Sequence, residues 1–139
     1  MSGRRTYEQR DIDQAEQRIA ALIAGRTTLD DAGVDAITLA TFDPVFFNGL
    51  VLVLDRPFVH RARSIIGAAP GPLNELELIV DSLLEHDGVL TVRAGVAYAP
   101  EGSCTGLAPG ETILLTGLQF ERLAVGVLAE LEELFVEHD

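Results

Sequence analysis

The chain has 139 residues and a formal net charge of −12, and all ten of its basic residues are arginine. This length suits one domain with a hydrophobic core, and a hydrophobic content of 47% argues against disorder. An acid excess of this size repels phosphate groups, so neither nucleic acid nor an anionic membrane surface is expected as a partner. The sequence shows no signal-peptide pattern and no apolar run of about 20 residues. We therefore expect a cytoplasmic protein.

The first part of the chain predicts a short tip followed by two helices. Residues 1–6 are expected to be a mobile tip, and residues 7–139 a single helical domain. Apolar residues recur at three- and four-residue spacing from Tyr7 to Ala24, which predicts an amphipathic helix that ends at Gly25. Thr27-Thr28, with acidic residues after it, is typical of a helix start, so a second helix is predicted over residues 29–41.

The most apolar part of the chain is Val45–Leu54. Asp43-Pro44 precedes it and is typical of a helix start, with an aspartate cap and proline in the first turn. The pattern predicts a central helix that continues to Arg63 and that Pro57 kinks or restarts, because proline lacks a backbone N–H. A buried strand is the alternative, since periodicity alone does not separate the two.

The second half predicts two further helices with β structure between them. Leu73–Leu84 has one apolar wall and one polar face, which predicts a helix after a Gly/Pro turn. Short β-like runs and a type II turn at Pro109-Gly110 predict a small β-hairpin at about residues 96–115. Thr116 and Gln119 form a capping box before the last helix. The expected fold is mainly α, a bundle of about five helices with this hairpin before the last one.

Polar residues cluster where the central helix is expected to meet the next one. If the helix after the turn returns antiparallel, residues 74 and 75 lie beside residues 61 and 63. A histidine oriented by a carboxylate can act as a general base near neutral pH, and clustered arginines can hold an anion. The candidate catalytic residues are His60, Asp55 and Glu75, and the candidate ligand-binding residues are Asn48, Arg56, Arg61, Arg63 and Asn74.

The same residues have a purely structural interpretation. Arg61 and Arg63 facing Glu75 and Glu77 would form ordinary ion pairs between neighbouring helices. A histidine such as His60 is more often packed and hydrogen-bonded than catalytic. The three histidines are scattered without a metal-ligand spacing, so no metal site is expected, and the sequence indicates no particular cofactor.

Two strings, Phe58-Val59-His60-Arg61 and Pro72-Leu73-Asn74-Glu75, stand in a chain that also has the apolar Asp43–Asp55 segment. With Pro109-Gly110 and the residues up to Phe120, these features make residues 42–136 resemble a small bacterial family of uncharacterised proteins. The resemblance implies no activity. It implies that six positions belong to a family pattern, namely Asn48, Asp55, His60, Arg61, Asn74 and Glu75.

Three functional hypotheses follow, and they leave open whether the protein is an enzyme. The first is a non-enzymatic homo-oligomeric or interaction protein, with a homodimer formed through apolar helices. The alternative is a protein that binds a small anionic ligand, or a small acid/base enzyme, with a pocket near His60, Arg61 and Glu75. A third is an adaptor that presents the hairpin at residues 96–115 to a partner protein.

Overall fold

The structure is a computed structural model that describes residues 9–58, 67 and 69–136. The described chain is mainly helical, as the sequence predicts. It contains four α-helices rather than about five, and a single turn of 3₁₀ helix over Pro100–Gly102. The α-helices are α1 (Gln9–Asp31), α2 (Ala36–Asp55), α3 (Pro72–Glu85) and α4 (Gly117–Phe135).

The boundary between α1 and α2 differs from the prediction. Helix α1 passes through Gly25 and ends near Gly33, which has a φ of 79°. There the N–H of Gly33 donates to the carbonyl of Asp30, and the N–H of Val34 donates to that of Leu29. This is a Schellman motif, in which glycine readily adopts the left-handed conformation. The predicted helix end at Gly25 and the predicted helix over residues 29–41 are therefore both wrong.

Helix α2 begins earlier than predicted, with Asp35 as its N-cap. The Asp35 carboxylate accepts hydrogen bonds from the backbone N–H and the hydroxyl of Thr38, at 2.7 and 3.0 Å. Pro44 therefore lies inside the helix instead of starting it. Helix α2 ends at Asp55, so Pro57 follows the helix and does not kink it. Residues 59–63, over which the helix was predicted to continue, lie outside the described residues.

Helices α3 and α4 confirm their predictions, because local capping residues define their ends. Pro72 occupies the first turn of α3, where a missing backbone N–H costs little. The capping box at Thr116 and Gln119 is complete at the start of α4. The two helices are also joined directly, since the Leu73 N–H donates to the Glu130 carboxylate at 2.9 Å. This contact supplies an acceptor to the start of α3, whose own N-cap residue has no capping side chain.

The predicted hairpin at residues 96–115 is not found in the described chain. An isolated antiparallel bridge joins Val89 to Thr112 instead, and the expected turn at Pro109-Gly110 closes with a hydrogen bond from the Glu111 N–H to the Ala108 carbonyl. The run at the start of the predicted hairpin pairs elsewhere, since the Ala97 N–H donates to the carbonyl of residue 67. The run at its end, residues 113–115, is held by the Asn48 side chain, as described below.

The hydrophobic core lies between α2, α3 and α4, with α1 against one side. Helix α1 contributes only three buried residues to it, Ile12, Ala15 and Ile19. The side chains that are almost fully buried come mainly from the other three helices and include Leu54, Leu78, Ile79, Phe120, Leu123 and Leu131. Helix α1 is thus amphipathic with a narrow buried stripe, and it contacts α2 and α4.

Threonine substitutions test where the helices begin. We expect Thr116→Ala to lower the free energy of unfolding by about 1 kcal/mol, because it removes an N-cap acceptor. Thr28→Ala should be neutral or stabilising, since Thr28 is an exposed residue within α1 and alanine is the better helix former. Urea unfolding of both variants measures the difference. A marked loss of stability in Thr28→Ala would instead indicate that Thr28 is a helix N-cap, as the sequence predicts.

The ion pair between α1 and α2 predicts a pH dependence. Arg26 donates two hydrogen bonds to Asp43, from Nε at 2.5 Å and from a terminal nitrogen at 3.0 Å, and these lower the pKa of the Asp43 carboxyl. A lowered folded-state pKa gives stability that is present above the unfolded pKa and is lost as the pH falls through the folded one.

Asp43→Asn should therefore destabilise the protein at neutral pH. The difference from wild type should shrink as the pH falls below about 4, the ordinary pKa of an aspartate in the unfolded chain, and through the lower folded-state pKa. Urea unfolding across this pH range measures it, with Asp30→Asn as the control at the other, exposed carboxylate that Arg26 contacts. A difference that does not change with pH would contradict the assignment.

Candidate functional site

The structure describes five of the eight residues that the sequence nominates for a site. Asn48 and Asp55 lie on α2, Arg56 follows it, and Asn74 and Glu75 are in the first turn of α3. His60, Arg61 and Arg63 lie outside the described residues. The proposed meeting of an imidazole, guanidinium groups and a carboxylate therefore stays a prediction, while the contacts of the other five residues can be given.

The Asn48 side chain holds the backbone that leads into α4. Its Nδ2 donates to the Ile113 carbonyl at 2.8 Å, and its Oδ1 accepts from the Leu115 N–H at 3.2 Å. These are the backbone groups that a strand partner would use in a hairpin. The asparagine thus replaces the predicted strand pairing, and both ends of its amide have a structural use.

Asn74 is buried and ties the loop before α3 to the segment after it. Its Nδ2 contacts the carbonyl oxygens of Gly67, Ala69 and Ala97 at 2.9–3.0 Å. Its Oδ1 accepts from the Gly67 N–H at 3.3 Å. Buried loop carbonyls need such donors, because an unpaired polar group in the interior is costly. The residue thus links two backbone segments, one on each side of α3.

Glu75 is the most buried charged residue in the described chain, with 2% of its surface exposed. Its carboxylate accepts from the N–H of Cys104 at 2.8 Å, and from the N–H and the hydroxyl of Thr105 at 2.9 and 2.6 Å. Bonds to an ionised acceptor are among the stronger ones in proteins. The carboxylate anchors the loop at residues 103–107 to α3.

Asp55 and Arg56 lie at the end of α2 and differ in exposure. Asp55 is half-buried, and its carbonyl accepts from the Phe58 N–H at 3.0 Å. Arg56 is exposed and caps the helix through its own backbone N–H, which donates to the Leu52 carbonyl. In the neighbouring helix, Glu77 contacts Arg93 at 3.2 Å.

A small cavity of about 90 Å³ lies beside Glu75, between the start of α3 and the loop at residues 103–107. Tyr98 and Ser103 line it, and the Tyr98 hydroxyl donates to the Leu107 carbonyl at 2.5 Å and lies 3.3 Å from Ser103 Oγ. Burial raises the pKa of the Tyr98 hydroxyl. A cavity of this size holds only a few water molecules at about 30 Å³ each.

The thiol of Cys104 lines the same cavity but is poorly suited to nucleophilic chemistry. Burial, with the nearby Glu75 carboxylate, raises the pKa of Cys104 to about 11. The thiolate is the reactive form, so this cysteine is almost entirely protonated at neutral pH. The loop that carries it lies against α4, where Gly126 leaves room: a Cβ there would be 2.8 Å from the sulfur. Within the described residues, no group of three potential ligands could hold a metal ion.

Two of the apolar surfaces that the described helices expose bear on function. The first, which we call the α2 face, is the outward side of α2 and consists of Thr38, Thr41, Phe42, Val45, Gly49 and Leu52. The second, the α1–α4 groove, has a volume of about 460 Å³ between those two helices. The sequence indicated excess apolar helix surface but not the groove, because a groove depends on which helices become neighbours.

No family model, curated protein or solved structure matches this chain. The resemblance to a bacterial family and the functional hypotheses therefore stay predictions.

Substitution of Glu75 tests whether its carboxylate is structural. Glu75→Gln should lower the free energy of unfolding by roughly 2–4 kcal/mol, because the amide places a donor against the donors of residues 104 and 105. Urea unfolding measures this, with Glu85→Gln at the exposed end of α3 as the matched control. Equal stability of the two variants would show that the loop does not depend on the carboxylate.

Proposed function

We propose that this protein is a non-enzymatic interaction protein that self-associates as a homodimer through the α2 face. The observation that carries the proposal is the exposure of the most apolar helix in the chain. A stretch of α2 with a mean hydropathy of 1.8 is only 28% buried. Val45, in the middle of the α2 face, is 75% exposed. Large exposed apolar surfaces are typical of protein interaction sites.

The nominated polar residues support a non-enzymatic role. Asn48, Asn74 and Glu75 direct their side chains to backbone groups of this same chain, where they hold loops. A catalytic group must instead be within hydrogen-bond reach of a substrate. Apolar surface is thus the better supported basis for function.

The charge distribution favours a second copy as the occupant of the α2 face. Two chains with a net charge of −12 repel one another, so association requires a contact surface free of carboxylates. The α2 face has no carboxylate. Helix α2 contains two acidic residues, Asp43 and its last residue Asp55, and Asp43 is paired with Arg26. Two copies that meet at this face therefore bring no carboxylates of the face together, which keeps their electrostatic repulsion low.

Gly49 provides a place where two α2 helices can approach closely. A Cβ at this position would meet no atom within 4 Å, so the space above the glycine is open. Val45 lies one turn before Gly49 on the same face. In a two-fold pair, each Val45 would pack over the partner's Gly49, which is the mutual contact that an isologous interface requires. Exposed Leu114, between the two residues that Asn48 holds, extends the apolar surface beside the helix.

Helix α2 is also long and apolar enough to cross a membrane by length and composition alone. Core helices of soluble proteins meet the same criteria. Insertion would separate α2 from the buried contacts that Phe47, Leu50 and Leu54 make in the core. Membrane association is therefore a competing outcome of the experiment below.

Sedimentation velocity of the full chain tests the dimer. We expect wild type to be dimeric at micromolar concentration and Val45→Glu to be monomeric, because each new carboxylate would be buried without a partner in the apolar contact over the other copy's Gly49. The control is Leu134→Glu, which places the same charge on another exposed apolar residue, on α4, and should leave the dimer intact.

Two results would contradict the proposal. One is a wild type that remains monomeric at micromolar concentration, and the other is equal behaviour of the two glutamate variants. Co-flotation of wild type with neutral phosphatidylcholine vesicles, lost in Val45→Glu, would assign the α2 face to a lipid surface instead. Circular dichroism should show unchanged helix content in both variants, since both substituted side chains are largely exposed.

A further inference from the structure

The α1–α4 groove is a second surface, distinct from the α2 face, and it has an apolar floor. Ile12, Ile19, Phe120, Ala124 and Leu128 are buried along its base. Ala20 and Ala129 are exposed along its sides, and their small side chains leave the space open.

The two helices that form the groove are antiparallel. The contact between Gln9 and Glu132, at 3.4 Å, places the start of α1 beside the end of α4. Ile23 and Phe120 line the groove at its other end. The lining on α1 spans residues 12–23, which is a length of about 16 Å at 1.5 Å per residue. A groove of that length matches about three turns of a helix.

The charged residues that line the groove are all acidic. Glu121 and Glu132 lie on α4, eleven residues and thus about 16 Å apart along the helix, and Glu16 lies on α1. In the part of the chain that the structure describes, neither Glu16 nor Glu121 forms an ion pair with a basic side chain. An apolar floor between carboxylates is complementary to a ligand with an apolar stripe and positive charges at both ends.

We propose that the α1–α4 groove binds a basic amphipathic helix of a partner protein. One row of apolar side chains, at positions i, i+4 and i+7, would occupy the floor, as in other helix-in-groove complexes. Lysine or arginine residues near the two ends of the row would face Glu121 and Glu132.

The spacing of the carboxylates favours a helix over a small organic cation. A single ammonium group can contact one end of the groove but not carboxylates about 16 Å apart. A helix of three turns spans that distance and carries side chains at both ends. The proposal is independent of the dimer, because the α2 face contributes no residue to the groove.

A designed peptide can test the groove without knowledge of the natural partner. The probe is a helical peptide with leucine at i, i+4 and i+7 and lysine eleven residues apart at the two ends of this stripe. Two control peptides are a sequence with glutamate in place of lysine and a scrambled sequence of the same composition. Binding to the full chain is measured by fluorescence anisotropy at low and high salt.

Two kinds of variant separate the contributions of shape and charge. Ala20→Leu and Ala129→Leu fill the groove at exposed helix positions and keep a good helix former, so folding should persist. Each should weaken binding of the lysine peptide at least tenfold. Ala21→Leu, the neighbouring exposed position that does not line the groove, should leave binding unchanged.

The charge variant is the double substitution Glu121→Gln and Glu132→Gln. It should weaken binding severalfold at low salt and reduce the salt dependence, because screened charge pairs would then contribute less. The matched control, Glu101→Gln with Glu133→Gln, removes two carboxylates that do not line the groove and should leave the salt dependence close to that of wild type.

Any one of the following results would contradict the proposal. Absence of binding by the lysine peptide would rule out the groove as a site for basic helices. Equal binding to wild type and to both leucine variants, or equal binding by the scrambled peptide, would reduce the effect to general attraction by an acidic protein. Binding of dodecyltrimethylammonium below its micelle concentration, as tight as that of the peptide, would assign the groove to single-charged amphiphiles.

Discussion

The buried carboxylate of Glu75 is the interaction on which the non-helical part of the structure depends. It lies in the first turn of α3 and accepts three hydrogen bonds from residues 104 and 105. The same loop is linked to the start of α4, because Gln119 of the capping box also donates to the Thr105 carbonyl. Glu75 thus connects α3 to the loop, and Gln119 connects the loop to α4. Burial of a charge is costly, and here it is offset by donors placed around it.

Two asparagines extend this arrangement to the rest of the non-helical chain. Asn74 joins the segments before and after α3, and Asn48 joins α2 to the approach to α4. Residues 89–116 therefore need little β structure, since side chains of the helices satisfy many of their backbone groups. The consequence for function is that polar residues are used inside the molecule, while apolar helix surface remains outside. The proposed dimer face and the proposed groove both follow from this division.

The sequence predicts those parts of the fold that local capping determines. Pro72 and the Thr116–Gln119 box act within one turn of a helix, so α3 and α4 could be predicted with nearly correct ends. Asp43-Pro44 is an equally good local pattern, but its aspartate pairs with Arg26, seventeen residues earlier, and the helix passes through it. Gly33 terminates α1 in a Schellman motif, although the sequence pattern predicts a helix that runs through this position, over residues 29–41.

For the candidate site too, the sequence predicts which residues matter but not which groups they contact. The sequence identifies Asn48, Asn74 and Glu75 as polar residues of interest, but their partners lie between 5 and 67 residues away along the chain. No local pattern specifies such partners, because they depend on how the helices pack. The groove between α1 and α4 depends on packing in the same way, since neither helix alone has a concave surface.

Amide hydrogen exchange at Cys104 and Thr105 tests the role of Glu75 most directly. Both N–H groups donate to the buried carboxylate, so they should exchange only when α3 and the loop separate. We expect their protection to approach that of the core amides of α3, although they belong to a loop. Exchange at the rate of an exposed loop, while α3 stays protected, would contradict the assignment of Glu75 as the anchor of this fold.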